Sequence, residues 1–172
     1  FNRTLAEQQA FMMFCICAAG KNADSTIAAL NRLFEKWYTR YPSRREITLP
    51  FKYIEWANYD GLLTSDIKEA GLGCYNHRYL SFVSLLGYPK PINEGSIEDY
   101  QTIYGVGPKT ARFFVLFTRP NGTCAILDTH ILKFLKWLDL PAPNATPSSE
   151  VSYKFWENTF IRIWKAYFKE YF

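Results

Sequence analysis

This sequence predicts an all-α protein, and three observations carry that reading. Apolar residues recur at helical spacing in one run after another. Capping residues open these runs, and Gly or Pro closes them. Strand-like alternation is nearly absent, with brief ambiguity around Thr123 to Leu127.

In chain order, Thr4 with Glu7 reads as a capping box, so Leu5 to Ala18 is a strongly apolar first helix stopped by Gly20. Lys21, Asn22, Ala23 and Asp24 form a loop that caps a second helix through about Tyr38. From Tyr38 to Pro50 the chain is basic and polar. Arg40, Arg44 and Arg45 suit a solvated face or a DNA track, and Pro42 and Pro50 act as breakers. A third helix offers Phe51, Ile54 and Trp56 for burial. Thr64 or Ser65 caps a fourth that ends at Gly71, and a fifth runs from about Tyr75 to Leu86. Ser96 with Asp99 then opens a short amphipathic run to Ile103, and Lys109 to Thr118 is the next helix. Asp128 heads another apolar-periodic run as its N-cap. Residues 141–147 read as a linker-like loop. Ser149 opens a long C-terminal helix whose aromatic stripe (Phe155, Trp156, Phe160, Trp164, Phe168) packs as core.

A chain of 172 residues makes one domain or two closely packed lobes. With 48% hydrophobic and 18% aromatic residues, disorder is excluded. No apolar run reaches the roughly 18 residues of a membrane span, so no membrane partner is expected. The net charge of +4 suits a nucleic-acid partner. Cys15, Cys17, Cys74 and Cys124 match neither a zinc nor an iron–sulfur spacing. They read as structural thiols in apolar surroundings, in a reducing, intracellular compartment (nucleus, or nucleoid and cytoplasm). Phe1 is not a methionine and no basic-then-apolar leader follows it, so the chain reads as trimmed or partial.

The chemistry concentrates at Tyr104-Gly105-Val106-Gly107-Pro108-Lys109-Thr110-Ala111. The two glycines allow a tight turn with φ > 0, and Pro108 suits a first helical position. The bare amides of this hairpin and the positive end of the following helix form a place for a phosphate. Lys109 stands in the first turn of that helix, where the dipole disfavours a second positive charge. Asp128, nineteen positions on (109 to 128), has the opposite environment, since backbone amides favour its ionised form. Seen alone, such a lysine reads as a phosphate contact or a solvated residue, and such an aspartate as a cap.

Together, and at this spacing, Gly105-Val106-Gly107-Pro108-Lys109-Thr110-Ala111 and Leu127-Asp128-Thr129-His130-Ile131 resemble the helix-hairpin-helix DNA glycosylase superfamily, which includes endonuclease III and the oxoguanine glycosylases. The resemblance covers nearly the whole chain in helix order. It implies one glycosylase domain over 1–172, in two helical lobes with an active-site cleft between them: about 24–118, and about 1–23 plus 119–172. It implies a monomer acting on double-stranded DNA that carries a damaged or modified base. Lys109 would be the nucleophile and Asp128 the catalytic carboxylate of a bifunctional glycosylase and abasic-site lyase.

By the same resemblance, Gly105, Val106, Gly107 and Thr110 would grip DNA. Lys21 and Asn22 would lie in the loop that fills the space left by an extruded base. Leu72 would wedge into the duplex, favoured over Cys74 and Tyr75. Tyr75, Asn76, His77 and Arg78 would line the DNA cleft or simply form a polar helix start, and His130 would contact a phosphate or serve in packing or capping. No redox cofactor is implied, and the family's C-terminal iron–sulfur cluster has no cysteines here after Cys124. An alkali-metal ion on backbone carbonyls is implied at Gly105 and Gly107. Two other readings remain open: a domain that binds or helps process modified bases with altered chemistry, and a monofunctional glycosylase using water activated by Asp128.

Overall fold

A computed structural model describes residues 3–42, 49–120 and 122–167. Arg44, Arg45 and Phe168 lie outside the described residues. Among those described, the protein is helical and contains no strand. The helices are α1 (Leu5–Ala18), α2 (Ala23–Arg40), α3 (Pro50–Tyr59), α4 (Leu63–Glu69), α5 (Tyr75–Leu86), α6 (Ile97–Tyr100), α7 (Pro108–Thr118), α8 (Thr129–Trp137) and α9 (Glu150–Tyr167). They fall into two compact units divided between Val106 and Gly107.

The first unit packs α1 on α2, α3 and α5, with α4 against α2, α3 and α5. Its interior is built from Met12, Met13, Ile16, Leu33, Trp37, Tyr53, Ile54 and Phe82, each with no exposure or nearly none. Each such side chain contributes about 1.5–3 kcal/mol through removal from water. Because α1 supplies Met12, Met13 and Ile16 to this interior, it belongs to the first unit. The expected grouping of residues 1–23 with 119–172, and the expected lobe over 24–118, therefore differ from the compact units seen.

Several helix ends are closed by side chains, local in one case and from elsewhere in the fold in others. The Thr4–Glu7 capping box forms as expected. α3 has no cap from its own N-cap residue Leu49, and the Gln9 side chain of α1 accepts the Phe51 N–H at 3.0 Å instead. Arg32 donates to the Ala70 carbonyl at the end of α4 through two nitrogens, at 2.8 and 3.1 Å. The buried Asp66 receives both terminal nitrogens of Arg40 at 2.5 and 2.6 Å and the Trp37 indole at 3.0 Å, which ties α4 to α2.

Local boundaries differ from the sequence reading in several places. Asn22 caps α2 by accepting the Ser25 N–H, so Ala23 and Asp24 are helical rather than loop. Neither Thr64 nor Ser65 caps α4; its N-cap is Leu62, and the Ser65 hydroxyl donates to the Leu62 carbonyl. The capping box of Ser96 and Asp99 is present, but α6 lasts only one turn. Cys15 and Cys17 are buried, and burial pushes the Cys17 thiol up to about 12. Cys74 is exposed and adopts φ +47 at the start of α5, so it is not a core thiol.

The second unit holds α7, α8 and α9. Leu127, Leu132 and Tyr153 form its buried centre, with Ile131, Trp156 and Phe160 packed against them. Phe155 departs from the expected core stripe and is 62% exposed. Residues 123–127, where the strand signals are ambiguous, are irregular.

Candidate active site

The glycine turn is asymmetric. Gly105 has φ +82, and a Cβ there would lie 2.7 Å from the Ser81 hydroxyl and 2.8 Å from His77 Nε2. Gly107 instead has φ −90 and ψ −180, an extended conformation open to any residue, and a Cβ there would meet nothing within 4 Å. The expectation of φ > 0 thus holds for Gly105 and not for Gly107.

The bare amides also lie further along than expected. Val106 N–H donates to the Ile103 carbonyl at 3.0 Å, and the Val106 side chain is buried. Gly107 caps α7 without a side-chain hydrogen bond and Pro108 occupies its first turn. Among the described residues, the N–H groups of Gly107, Lys109 and Thr110 meet no acceptor, whereas Ala111 N–H bonds the Gly107 carbonyl at 3.0 Å. These donors and the helix dipole make the start of α7 electropositive.

Lys109 is the second residue of α7 and is half-buried, with no hydrogen bond or ion pair from its side chain among the described residues. Asp128 lies in the same unit as the N-cap of α8. Its Oδ1 accepts the N–H groups of His130 and Ile131, each at 2.9 Å. One carboxylate oxygen is therefore fixed by the helix end, and Oδ2 has no partner among the described residues.

Behind Asp128 stands a buried polar network on residues that the sequence reading does not single out. Arg112, 1% exposed, donates through Nε to Glu157 at 2.7 Å and through its two terminal nitrogens to Glu150 at 3.1 and 2.7 Å. Its guanidinium lies 4.3 Å from the Tyr153 ring centroid. Burial would lower the Arg112 pKa, but Glu150 and Glu157 outweigh it and raise the value. Glu157 also accepts Ala125 N–H at 2.9 Å. The Tyr153 hydroxyl accepts Leu127 N–H at 2.8 Å and donates to the Ala125 carbonyl at 3.2 Å. Burial raises the Tyr153 pKa and keeps that hydroxyl protonated. The sequence does hold a signal for this network. Arg112 interrupts an apolar helix, and Glu150, Tyr153 and Glu157 recur at one-face spacing inside an aromatic stripe.

The other expected contacts divide by exposure. Tyr75, Asn76, His77 and His130 are exposed, and the His77 ring lies 4.9 Å from that of Tyr104. Asn22 is exposed but is spent as the α2 cap, and the Lys21 amine donates to the Leu72 carbonyl at 2.5 Å. Thr110 is half-buried. Leu72 is only 3% exposed, packed into the first unit, so the expected wedge role does not fit its position. Arg78 is 4% exposed and donates to the carbonyls of Ile16 and Cys17 at 2.5 and 3.1 Å, closing the end of α1 instead of lining a DNA surface.

For an alkali ion, Gly105 and Gly107 offer only backbone carbonyls, and that of Gly107 already accepts the Ala111 N–H. No set of three or more His, Cys, Asp or Glu residues suited to a metal ion occurs among the described residues. No helix of the described residues is long and apolar enough to cross a membrane. No family model, no curated protein and no solved structure matches this chain.

Proposed function

We propose that this protein is a DNA glycosylase that removes a damaged or modified base from double-stranded DNA through a lysine imine, and then cleaves the abasic strand. The observation that carries the reading is the pairing of helix ends in one unit. Lys109 follows a glycine turn at a helix start whose Gly107, Lys109 and Thr110 amides meet no acceptor among the described residues, and Asp128 caps the next helix with one oxygen uncommitted among them.

In this reading the amides of Gly107, Lys109 and Thr110 hold a DNA phosphate, which carries no base information and so positions the strand. The target base leaves the stack before reaction, because its glycosidic bond is inaccessible inside a duplex. As the base departs with the bonding electrons, positive charge develops on the sugar, and the fixed Asp128 carboxylate stabilises it. The Lys109 amine adds to C1′ and gives up a proton, which the free oxygen of Asp128 is suited to accept. Ring opening yields the imine, and loss of the C2′ proton expels the 3′ phosphate by β-elimination. The exposed His77 and His130 are available for backbone contacts.

The test is covalent trapping. With an abasic duplex and borohydride, the wild-type protein is expected to form a stable adduct and Lys109→Gln to form none. If Lys109→Gln traps as well as wild type, another amine is the nucleophile. If neither traps but a damaged base is released, Asp128 activates water and the enzyme is monofunctional.

A further inference from the structure

The three residues before Asp128 belong to no helix or strand, and side chains hold their backbone groups. Glu157 takes the Ala125 N–H, and Tyr153 takes the Leu127 N–H while donating to the Ala125 carbonyl. The Thr146 hydroxyl donates to the Leu127 carbonyl at 2.8 Å. Asp128 N–H then turns back to the Ile126 carbonyl at 2.7 Å. The path of the chain into the α8 cap is set from α9 and the loop before it.

Tyr153 is central to this arrangement because one buried atom both accepts from and donates to the same short segment. A phenylalanine would fill the same space and pack under Arg112 equally well. A hydroxyl with no exposure is costly unless bonded, and both of its bonds end on the segment that delivers Asp128. Its ring is fixed in turn by Arg112, itself tied to Glu150 and Glu157 on the same helix as Tyr153. Without the hydroxyl, the Leu127 N–H and the Ala125 carbonyl lose their partner in the interior. The segment can regain partners only by shifting toward water or toward each other, and Asp128 is its next residue.

We infer that Tyr153 is a positioning residue for base excision, holding the Asp128 carboxylate in register through the backbone of residues 125–127. This rests on the reading of Asp128 as the catalytic carboxylate. The Arg112–Glu150–Glu157 cluster supports Tyr153 and touches no reacting atom.

The experiment compares Tyr153→Phe with Tyr41→Phe in the full chain. Tyr41→Phe makes the same chemical change in the other unit, where the hydroxyl donates to Asp60 at 2.6 Å. Two readouts are taken: amide hydrogen exchange of His130 and Ile131, which report the Asp128 cap, and single-turnover excision with the dissociation constant of the same duplex. The substrate is whichever base wild type releases from a panel of duplexes carrying oxidised, alkylated or deaminated bases. Tyr153→Phe is expected to speed exchange at both amides and to slow excision by roughly ten- to a hundredfold, with duplex affinity unchanged. Tyr41→Phe is expected to change neither.

Unaltered exchange in a folded Tyr153→Phe overturns the inference, as does an equal loss of excision in Tyr41→Phe. Faster exchange with excision at the wild-type rate also overturns the catalytic role. If wild type releases no base while exchange still responds, Tyr153 does hold the cap and the glycosylase reading is what fails. Should Tyr153→Phe not fold, Thr146→Val removes the hydroxyl bond to Leu127 and is expected to give the same pattern at smaller size. No change in that variant's exchange overturns the inference too.

Discussion

Oδ1 of Asp128 accepts the Ile131 N–H at 2.9 Å, and the same oxygen also accepts that of His130. A cap needs only this one oxygen, so capping is separable from the proposed catalytic role. Asparagine caps about as well as aspartate. Asp128→Asn is therefore expected to keep its thermal midpoint near wild type while excision falls by about 2–4 kcal/mol of transition-state stabilisation. Single-turnover excision on the same duplex decides it. A folded Asp128→Asn with normal excision would leave the residue as a cap alone.

The two glycines of the turn are expected to respond in opposite ways. Gly105→Ala forces a Cβ against Ser81 and His77 at φ +82, at a cost of about 1–2 kcal/mol for the backbone alone. Its unfolding midpoint should drop. At Gly107 a Cβ meets nothing within 4 Å and φ is ordinary, so the fold of Gly107→Val should survive. If the α7 amides grip phosphate, that side chain obstructs them, and affinity for damaged and undamaged duplexes should weaken by similar factors. Normal binding of undamaged DNA by Gly107→Val would remove the grip from this helix end.

Arg112 is the largest buried charge in the second unit, and Glu157 beside it is nearly as enclosed. Replacing one partner of such a pair leaves the other buried without compensation. Arg112→Met is expected to cost about 3–5 kcal/mol, measured by urea unfolding. The double variant Arg112→Met, Glu157→Gln should recover part of that loss, because the deeply buried carboxylate is gone and the more open Glu150 keeps Lys154 at 3.5 Å. An unchanged midpoint in the single variant would mean that water reaches Glu157.

Acid should weaken the first unit through Asp66. Burial pushes its carboxyl upward, but hydrogen bonds from Arg40, Trp37 and Lys36 outweigh it and lower the pKa. The unfolded chain then takes up the proton first as pH falls. The contribution is thus complete above the usual aspartate value of about 3.9 and is lost as pH drops through the depressed folded value. The stability gap between wild type and Asp66→Asn should be wide near neutral pH and narrow below about pH 4. A gap of constant size in urea titrations across that range would show no such linkage.

Much of the fold is legible from the sequence for a plain physical reason. Helix starts and stops are local, so Thr4 with Glu7, Ser96 with Asp99, Pro108 and Asp128 announce themselves within four residues. Periodicity then yields the all-α class. The same local rules place Lys109 and Asp128 at helix N-termini without any knowledge of packing.

What tertiary structure alone decided is which polar side chains go inward. Arg78 and Asp66 carry charges that composition assigns to the surface, yet each is buried because a carbonyl or a cation from a distant helix compensates it. Leu72 looks available in a glycine-rich loop and is buried in the core of its unit. Tyr153 and Arg112 meet across 41 residues of sequence (153 minus 112), a pairing no local pattern encodes. Sequence determined where α1, α6, α7 and α8 begin and which ends carry Lys109 and Asp128. The fold determined what holds them there, because buried hydrogen bonds and ion pairs depend on distances in space that only packing sets.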